Sequence, residues 1–573
     1  MQNSIRRWQI SPRISPQADE VLNQYPPILR QILYNRGYVT SELAQSYLEA
    51  QAPDGADPFS MLGISAAVDR LLAAIRQNKP IAIYGDYDVD GVTATALLVT
   101  VLKSLGAKVN GYIPNRFDEG YGLNNEALDI LYNDGIRLVV TVDCGIRSPE
   151  EARHARSLNL DLIITDHHQP AGELPLALAI VNPKQPGDTY ADKDLAGVGL
   201  AYKLAVGLMT TMRKQGWPIP TGMNHEDTLD LVALGTVADL APLTGENRSL
   251  VRAGLRIIRR PKRQGLLALI AVSGLKPGQI SATDIGFGLG PRLNAAGRLD
   301  TALDALTLLT TDDYQVAGKL AQQLENQNRE RQKITREIQA QAEKIALADS
   351  DNPYLLFAAD KDFNAGVVGL AASRLVEQYY RPAIVAKTGE ETTRGSCRSI
   401  PEFHITEALD QCADLLVHHG GHAAAAGFTV RTDHLAELKQ RLQAIASSQL
   451  RDLELRPTLT ADAEVKLKEL DMNLLTALDT LQPTGYGNPQ AIFISRDLEV
   501  KYAKPVGKEG AHLKLSVTDG WLTMDAIAFK LAHKLERIPP KVDLMYTFEM
   551  NEFNGRQSFQ LNVRDLKASG THE

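Results

Sequence analysis

The stretch Ile81-Ala-Ile-Tyr84-Gly-Asp86-Tyr-Asp88-Val-Asp90-Gly91 decides the fold. Its apolar, β-prone start reads as a strand, and three carboxylates follow at alternate positions where that strand ends. Further apolar runs recur at 108–113, 137–142, 161–165 and 178–182, separated by helical patterns such as 93–105 and 126–133. This alternation predicts βαβ units and a mostly parallel sheet, in which ligands collect beyond the carboxyl ends of the strands. The acidic motif therefore belongs at the binding edge.

Three carboxylates so close repel one another, and a hard divalent cation that prefers oxygen ligands, Mg²⁺ or Mn²⁺, is the usual means of gathering them. A calcium loop of the EF-hand type opens in the same way, but it follows a helix and needs Glu at its twelfth position. Here that position is Leu97 and the preceding element is a strand. A second motif, Thr141-Val-Asp143-Cys-Gly145, closes another apolar run, and a third, Ile163-Ile-Thr-Asp166-His167-His168, closes the next. A fourth, Leu234-Gly-Thr-Val-Ala-Asp239-Leu-Ala-Pro242, sets a carboxylate in an apolar stretch, where it needs a partner. Singly, these are turns, caps or surface histidines. Together they place four acidic or imidazole clusters on one edge of the sheet, and mixed Asp and His donors suit Mn²⁺ or Mg²⁺ better than a thiolate-loving metal.

The four clusters, in this order over 84–242, closely resemble the motifs of the DHH phosphoesterase family, named for the triplet that stands here as Asp166-His167-His168. The resemblance implies that Asp86, Asp88, Asp90, Asp143, His167 and Asp239 hold two metal ions, with the sharing of carboxylates between them unassigned. It also implies that His168 contacts or orients the scissile phosphate and acts with Asp143 in catalysis. A later α/β pattern resembles the family's associated substrate-binding domain. It contains Phe363-Asn-Ala-Gly-Val-Val-Gly-Leu-Ala-Ala-Ser-Arg374, Arg394-Gly-Ser396-Cys-Arg398-Ser399 and Gly420-Gly421-His422 before an Ala run. Glycines before a helix let backbone N–H groups approach a phosphate, and the bland alternative is a tight turn followed by a close-packed Ala helix. Arg398 beside Ser396 is the better anion ligand, because Arg presents a planar fork to phosphate.

Fold class is α/β. Residues 1–60 form a helical extension, 61–314 the parallel-sheet phosphoesterase domain, 315–350 a long polar-faced connecting helix, and 351–450 the second α/β domain. In 455–573, alternating apolar residues flank Asp519-Gly520 and Asn554-Gly555, which predicts hairpins and a small antiparallel β-barrel, with the OB-fold as candidate. Within the family, the barrel and the segments Ile113-Pro-Asn-Arg116, Glu119-Gly-Tyr-Gly122 and Gly290-Pro-Arg-Leu-Asn294-Ala-Ala-Gly-Arg298 resemble a branch of single-strand-specific 5′→3′ DNA exonucleases. That resemblance implies release of 5′-mononucleotides in recombination and repair. It implies Arg116, Ser396 and Arg398 at a 5′ phosphate, Arg298 on the strand near the metals, and Gly421 and His422 in substrate binding. It also implies a helicase and single-strand-binding protein as partners. A phosphodiesterase for short oligonucleotides or cyclic dinucleotides is the alternative enzyme, and a metal-free binding module the non-enzymatic one, against which the intact ligand set counts. Gly197-Val-Gly199 does not make a dinucleotide site, because it follows polar Ala191-Asp-Lys-Asp and lacks the third glycine.

The net charge of −8 over 573 residues excludes a histone-like DNA coat, but not an enzyme whose channel alone is basic. The run Arg252, Arg256, Arg259, Arg260, Lys262, Arg263 is either a backbone contact or a solvated helix face. Trp521, Phe553 and Arg556 are candidates for stacking on unpaired bases. Three cysteines without paired spacing, no signal-like start and no membrane-length apolar run predict a cytoplasmic protein with no membrane attachment, and a monomer is expected.

Overall fold

The computed structural model describes residues 6–115, 122–299, 301–348, 353–553 and 555–570. They form two compact units. One combines Pro12–Asn328 with Lys468–Ala491, and the other combines the segment ending at Ser11, Arg329–Leu467 and the chain from Ile492 onward. The N-terminal region carries the expected short helices, Pro16–Val21, Pro27–Asn35 and Ser41–Glu49. It also carries a strand that periodicity does not announce, β1 (Arg7–Ile10), which is mostly exposed and so has no alternating core face.

In the first unit, β2 (Ile81–Gly85), β3 (Val109–Tyr112), β4 (Leu138–Val142), β5 (Asp161–Thr165) and β6 (Ala179–Val181) form an all-parallel sheet of order β3-β2-β4-β5-β6. Strands β2 and β4 are buried at every residue, which is why they read as continuous apolar runs: both faces are covered. On one face lie α1 (Val89–Ser104), α2 (Gly197–Lys214), α3 (Leu229–Ala238) and α4 (Gly245–Ile258), packed through residues such as Leu97, Val140, Leu204, Leu231 and Val251. On the other face, Ala82, Val139 and Leu162 meet Leu128 and Leu131. The chain leaves β2 for β3 on one side and returns to build β4, β5 and β6 on the other. This reversal opens a crevice beyond the carboxyl ends of β2 and β4.

Helix α1 begins four residues earlier than its apolar pattern predicts, because the Asp88 side chain accepts the Gly91 N–H at 3.0 Å and caps the first turn. Asp90 is thereby drawn into the helix. After α5 (Gly290–Leu299) comes α6 (Tyr314–Ala348), a 35-residue helix that starts in the first unit and ends in the second.

The second unit contains β7 (Leu356–Asp360), α7 (Val368–Tyr379), β8 (Ala383–Thr388), β9 (Thr392–Arg398), β10 (Leu416–His422) and β11 (Ala425–Arg431), with the mixed sheet order β10-β11-β9-β8-β7. The Ala run after Gly420-Gly421-His422 is not a helix. It is the tip of a hairpin and the start of β11, so those two glycines are strand residues and do not precede a helix. Strand β12 (Thr458–Ala461) pairs in parallel with β1. Then β13 (Ala463–Glu464) joins the edge of β14 (Phe493–Val506), and β15 (His512–Thr518), β16 (Thr523–Ala528), β17 (Lys541–Phe553) and β18 (Arg556–Ala568) complete the barrel. A β14–β17 pairing closes the five-stranded ring, and one seam, β16–β18, is parallel. Both expected hairpins are present; residue 554 of the second turn lies outside the described residues.

Candidate metal centre

Each acidic motif occupies the crevice side of its element. Asp86 follows β2, Asp88 caps α1, Asp90 sits in the first turn of α1, Asp143 follows β4, His167 and His168 follow β5, and Asp239 ends α3. Asp90 is buried at the N-terminus of α2, where the Gly197 N–H donates to Oδ2 at 2.6 Å and the Val198 N–H donates to Oδ1 at 2.8 Å. Helix N-termini favour negative charge, so the α2 backbone holds this carboxylate in place. Asp143 adopts a left-handed backbone, φ 61°, which Asp tolerates better than most residues. It lies so close to α2 that a Cβ on Gly197 would stand 2.7 Å from Asp143 Cβ and 2.8 Å from Oδ1. The glycine that fails as a dinucleotide motif is thus what allows one helix end to approach two carboxylates.

The structure brings all six expected ligands together. His167 Nε2 is 3.1 Å from Asp143 Oδ1, 3.7 Å from Asp239 Oδ2 and 4.0 Å from Asp90 Oδ2. Three overlapping groups, Asp86-Asp88-Asp143, Asp90-His167-Asp239 and Asp143-His167-His168, each offer ligand atoms within 4.8 Å of one another. Burial, then the charge of Asp88, pushes the Asp90 carboxyl up to about 7. Burial, then Asp90 and Asp88, pushes Asp239 up to about 9, and Asp143 is raised by burial and the surrounding carboxylates. Burial and the neighbouring His168 depress His167 to about 3, leaving a neutral imidazole suited to ligation.

Asp143 Oδ1 and His167 Nε2 are buried and make no hydrogen bond. Such atoms are costly to bury unless something positive lies between them. The donors are carboxylate oxygens and imidazole nitrogen. Cys144, beside Asp143, is excluded as a thiolate because burial, with Asp166 and Asp86, raises its thiol well above the usual range. The residues present fit hard divalent cations such as Mn²⁺ or Mg²⁺.

Sequence reasoning missed three neighbours. Asp166, first of the Asp-His-His triplet, is buried and accepts the His168 backbone N–H at 3.0 Å, the Ile146 N–H at 2.9 Å and His168 Nδ1 at 2.7 Å. Burial works against charge on His168, but the Asp166 hydrogen bond and the surrounding carboxylates outweigh it and raise the imidazole pKa. Asn182 donates to the His168 carbonyl at 2.9 Å, and the charge of Lys184 acts on Asp239 and His167. Both follow β6, a strand readable in the sequence, so its carboxyl end was the available signal.

The remaining expected residues are distributed as follows. Arg298 lies in the last turn of α5, which presses on the motif loop: a Cβ on Gly297 would stand 2.6 Å from the Tyr87 carbonyl oxygen. Arg116 lies outside the described residues. In the second unit, Ser396 and Arg398 share one face of β9, next to Gly369 in the first turn of α7. A Cβ on Gly369 would meet Arg398 Nη2 at 3.1 Å and Ser396 Oγ at 3.4 Å. His422 pairs with Ala425, which pairs with Arg398, so small residues of β11 separate the two on a common face, and Gly421 adjoins. Trp521 is 94% exposed at the β15–β16 turn, and Arg556 is exposed at the start of β18.

A parallel sheet whose carboxyl edge gathers Asp and His from these four motifs defines the DHH class. The DHH family, N-terminal domain, matches residues 80–236, the DHHA1 domain matches 351–448, and the RecJ OB domain matches 461–565. The chain is 37% identical over 572 residues to the single-stranded-DNA-specific exonuclease RecJ of Bacillus subtilis, covering 98% of this chain and 71% of that protein. It is 36% identical over 564 residues to the protein of the same name from Escherichia coli, covering 95% and 96%. A crystal structure of RecJ from Thermus thermophilus in complex with Mn²⁺ matches with a TM-score of 0.84 and 30% identity, over 99% of this chain and 80% of that one. The chain belongs to the RecJ family.

Proposed function

We propose that this protein is a divalent-metal-dependent exonuclease specific for single-stranded DNA, cutting from the 5′ end and releasing 5′-mononucleotides. The observation that carries the reading is the convergence of Asp86, Asp88, Asp90, Asp143, His167 and Asp239, with buried Asp143 Oδ1 and His167 Nε2 left without hydrogen bonds. The RecJ relatives named as single-stranded-DNA-specific exonucleases support the substrate.

Those six residues would hold two ions, which when bound supply an activated water and positive charge against the phosphate. The α2 N-terminus fixes Asp90, and burial beyond the carboxyl end of β5, with the neighbouring His168, keeps His167 a neutral ligand. Asp166 anchors the Nδ1 edge of His168 and, against the effect of burial, raises its pKa, favouring the protonated ring; the opposite edge is assigned to a phosphate oxygen, where a proton donor stabilises developing charge. Arg298 holds the strand beside the motif loop. Arg116, Ser396 and Arg398 recognise the 5′ phosphate, with Gly369 leaving room for it at the α7 N-terminus, and Gly421 and His422 contribute to substrate binding. The barrel guides unpaired bases. The protein acts as a cytoplasmic monomer, in recombination and repair, on strands supplied by a helicase and coated by single-strand-binding protein. Among the described residues, no helix is long and apolar enough to cross a membrane.

Digestion of end-labelled single-stranded DNA with Mn²⁺ or Mg²⁺, beside its duplex form and an Asp143→Ala protein, tests this reading. Rapid release of a 5′ label as mononucleotide, from single strands only and lost in the variant, is expected. Cleavage of dinucleotides without attack on long strands would replace it with the short-substrate reading.

A further inference from the structure

We propose that the C-terminal end of α4 forms a second phosphate-binding surface, built from Arg252, Arg256, Arg259 and Arg260, that takes the sugar–phosphate backbone of a single strand away from the catalytic edge. The proposal rests on the nucleic-acid reading above and adds a contact that the metal centre does not require.

The basic run 252–263 divides into two groups with different surroundings. Arg263 is structural: its side chain is largely buried, pairs with buried Asp230 at 3.0 Å and donates to the Leu309 carbonyl at 2.8 Å. Lys262 faces Asp227 at 3.7 Å, with both exposed. The other four line open hollows. Arg252, Arg256 and Arg259, spaced four and three residues apart and so on one helix face, enclose with Asp479, Gln482 and Pro483 a concavity of about 380 Å³. Arg256, Arg259, Arg260 and Gly278 border an adjoining hollow of about 470 Å³.

The donors are held in place but not used up. Arg252 Nη1 donates to the Leu48 carbonyl, and Arg259 Nε donates to the Ile280 carbonyl at 2.9 Å. Each bond takes one of five guanidinium N–H groups and fixes the side chain. Among the described residues, the side chains of Arg256 and Arg260 make no hydrogen bond or ion pair. The nearby carboxylates, Asp479 in the concavity and Glu49 beside Arg252, close no ion pair with this group.

Four cations against so little opposing charge favour an anion, and arginine forks fit phosphate oxygens in particular. The row extends along the helix into a second hollow, which suits an elongated polyanion better than a single head group. The surface is also distinct from the metal centre. Gly254 packs against Leu229 at the start of α3, whereas Asp239 closes its far end, ten residues or about 15 Å away at 1.5 Å per residue.

The test is equilibrium binding of a short and a long single strand to metal-chelated full-length protein across a salt series, using wild type, R256E/R259E and R256Q/R260Q. For the long strand, each lost phosphate contact should reduce the slope of log affinity against log salt by about 0.7. R256E/R259E should therefore lose roughly 1.4 or more in slope and at least about tenfold in affinity, with a much smaller loss for the short strand. R256Q/R260Q, which removes side chains without partners and so keeps the fold, should shift in the same direction. Inorganic phosphate should compete only weakly, because the row recognises a strand. Unchanged slope and affinity in R256Q/R260Q would overturn the proposal while leaving the nuclease reading intact. Failure of wild type to bind single strands at all would overturn both.

Discussion

At Gly197, the space of a single methyl group separates the helix end that binds Asp90 from the Asp143 carboxylate. Replacing this residue with Ala should leave the helix intact, since Ala is the better helix former. It should displace Asp143 and weaken Mn²⁺ binding by about 10–100-fold, the range for residues that orient metal ligands, as read by titration calorimetry. Asp166 acts on the other side of the same chemistry. In Asp166→Asn the acceptor for His168 Nδ1 loses its charge, so turnover should fall by about 10–100-fold while Mn²⁺ affinity changes far less. Equal losses in the two quantities would mean that Asp166 serves the metals directly. These two residues mark how far the sequence could be read. Carboxylates at strand ends identify ligands, because that placement is a property of the chain itself. The support given by Gly197 and Asp166 depends on which backbones pass within 3 Å, and spacing does not encode that distance.

At the scale of elements, one buried tie is Arg248 on α4. It is buried, lies 4.2 Å from the Tyr47 ring, and donates to the carbonyls of Tyr47, Thr480, Leu481 and Pro483 at 2.8–3.2 Å. Truncation to Ala would strand those acceptors, so the urea midpoint should drop by an amount equivalent to about 3 kcal/mol or more. Trp521 is the opposite case. Trp521→Ala should leave the melting temperature unchanged and weaken single-strand binding roughly tenfold if the ring stacks on a base. Most elements were legible because their burial pattern repeats on the period of the element itself, as in the all-buried β2 and the alternating β15. The Ala run after His422 was not. Ala favours helix by propensity, but here it is pinned between β9 and β10, and strand pairing overrides local preference. The parallel β16–β18 seam was equally hidden, since alternation identifies strands without ordering them.

For the molecule as a whole, the crowded centre makes metal-free stability depend on pH. The folded pKa values of Asp90 and Asp239, about 7 and about 9, lie above the ordinary 3.8. Folded protein therefore keeps protons that the unfolded chain has released. Their contribution to stability is fully present below 3.8 and is lost as pH rises toward about 9. The melting temperature of the chelated protein should fall across that window, and the fall should be shallower in Asp90→Asn. Saturating Mn²⁺ should remove it, because ligation requires the deprotonated forms and binds only the folded state. A metal-independent fall would detach the titration from the ligand set.

The pairing of β1 with β12 sets a timetable for making this protein. Arg7 lies opposite Thr458, and Arg248 on α4 awaits the carbonyls of 480–483, so neither of these ties can form until most of the chain has left the ribosome. At about 5–20 residues per second, the first strand waits roughly 20–90 s for its partner. During that interval its hydrogen-bonding edge is open to other nascent chains or to a chaperone, and slowing translation late in the message should increase misassembly more than slowing it early.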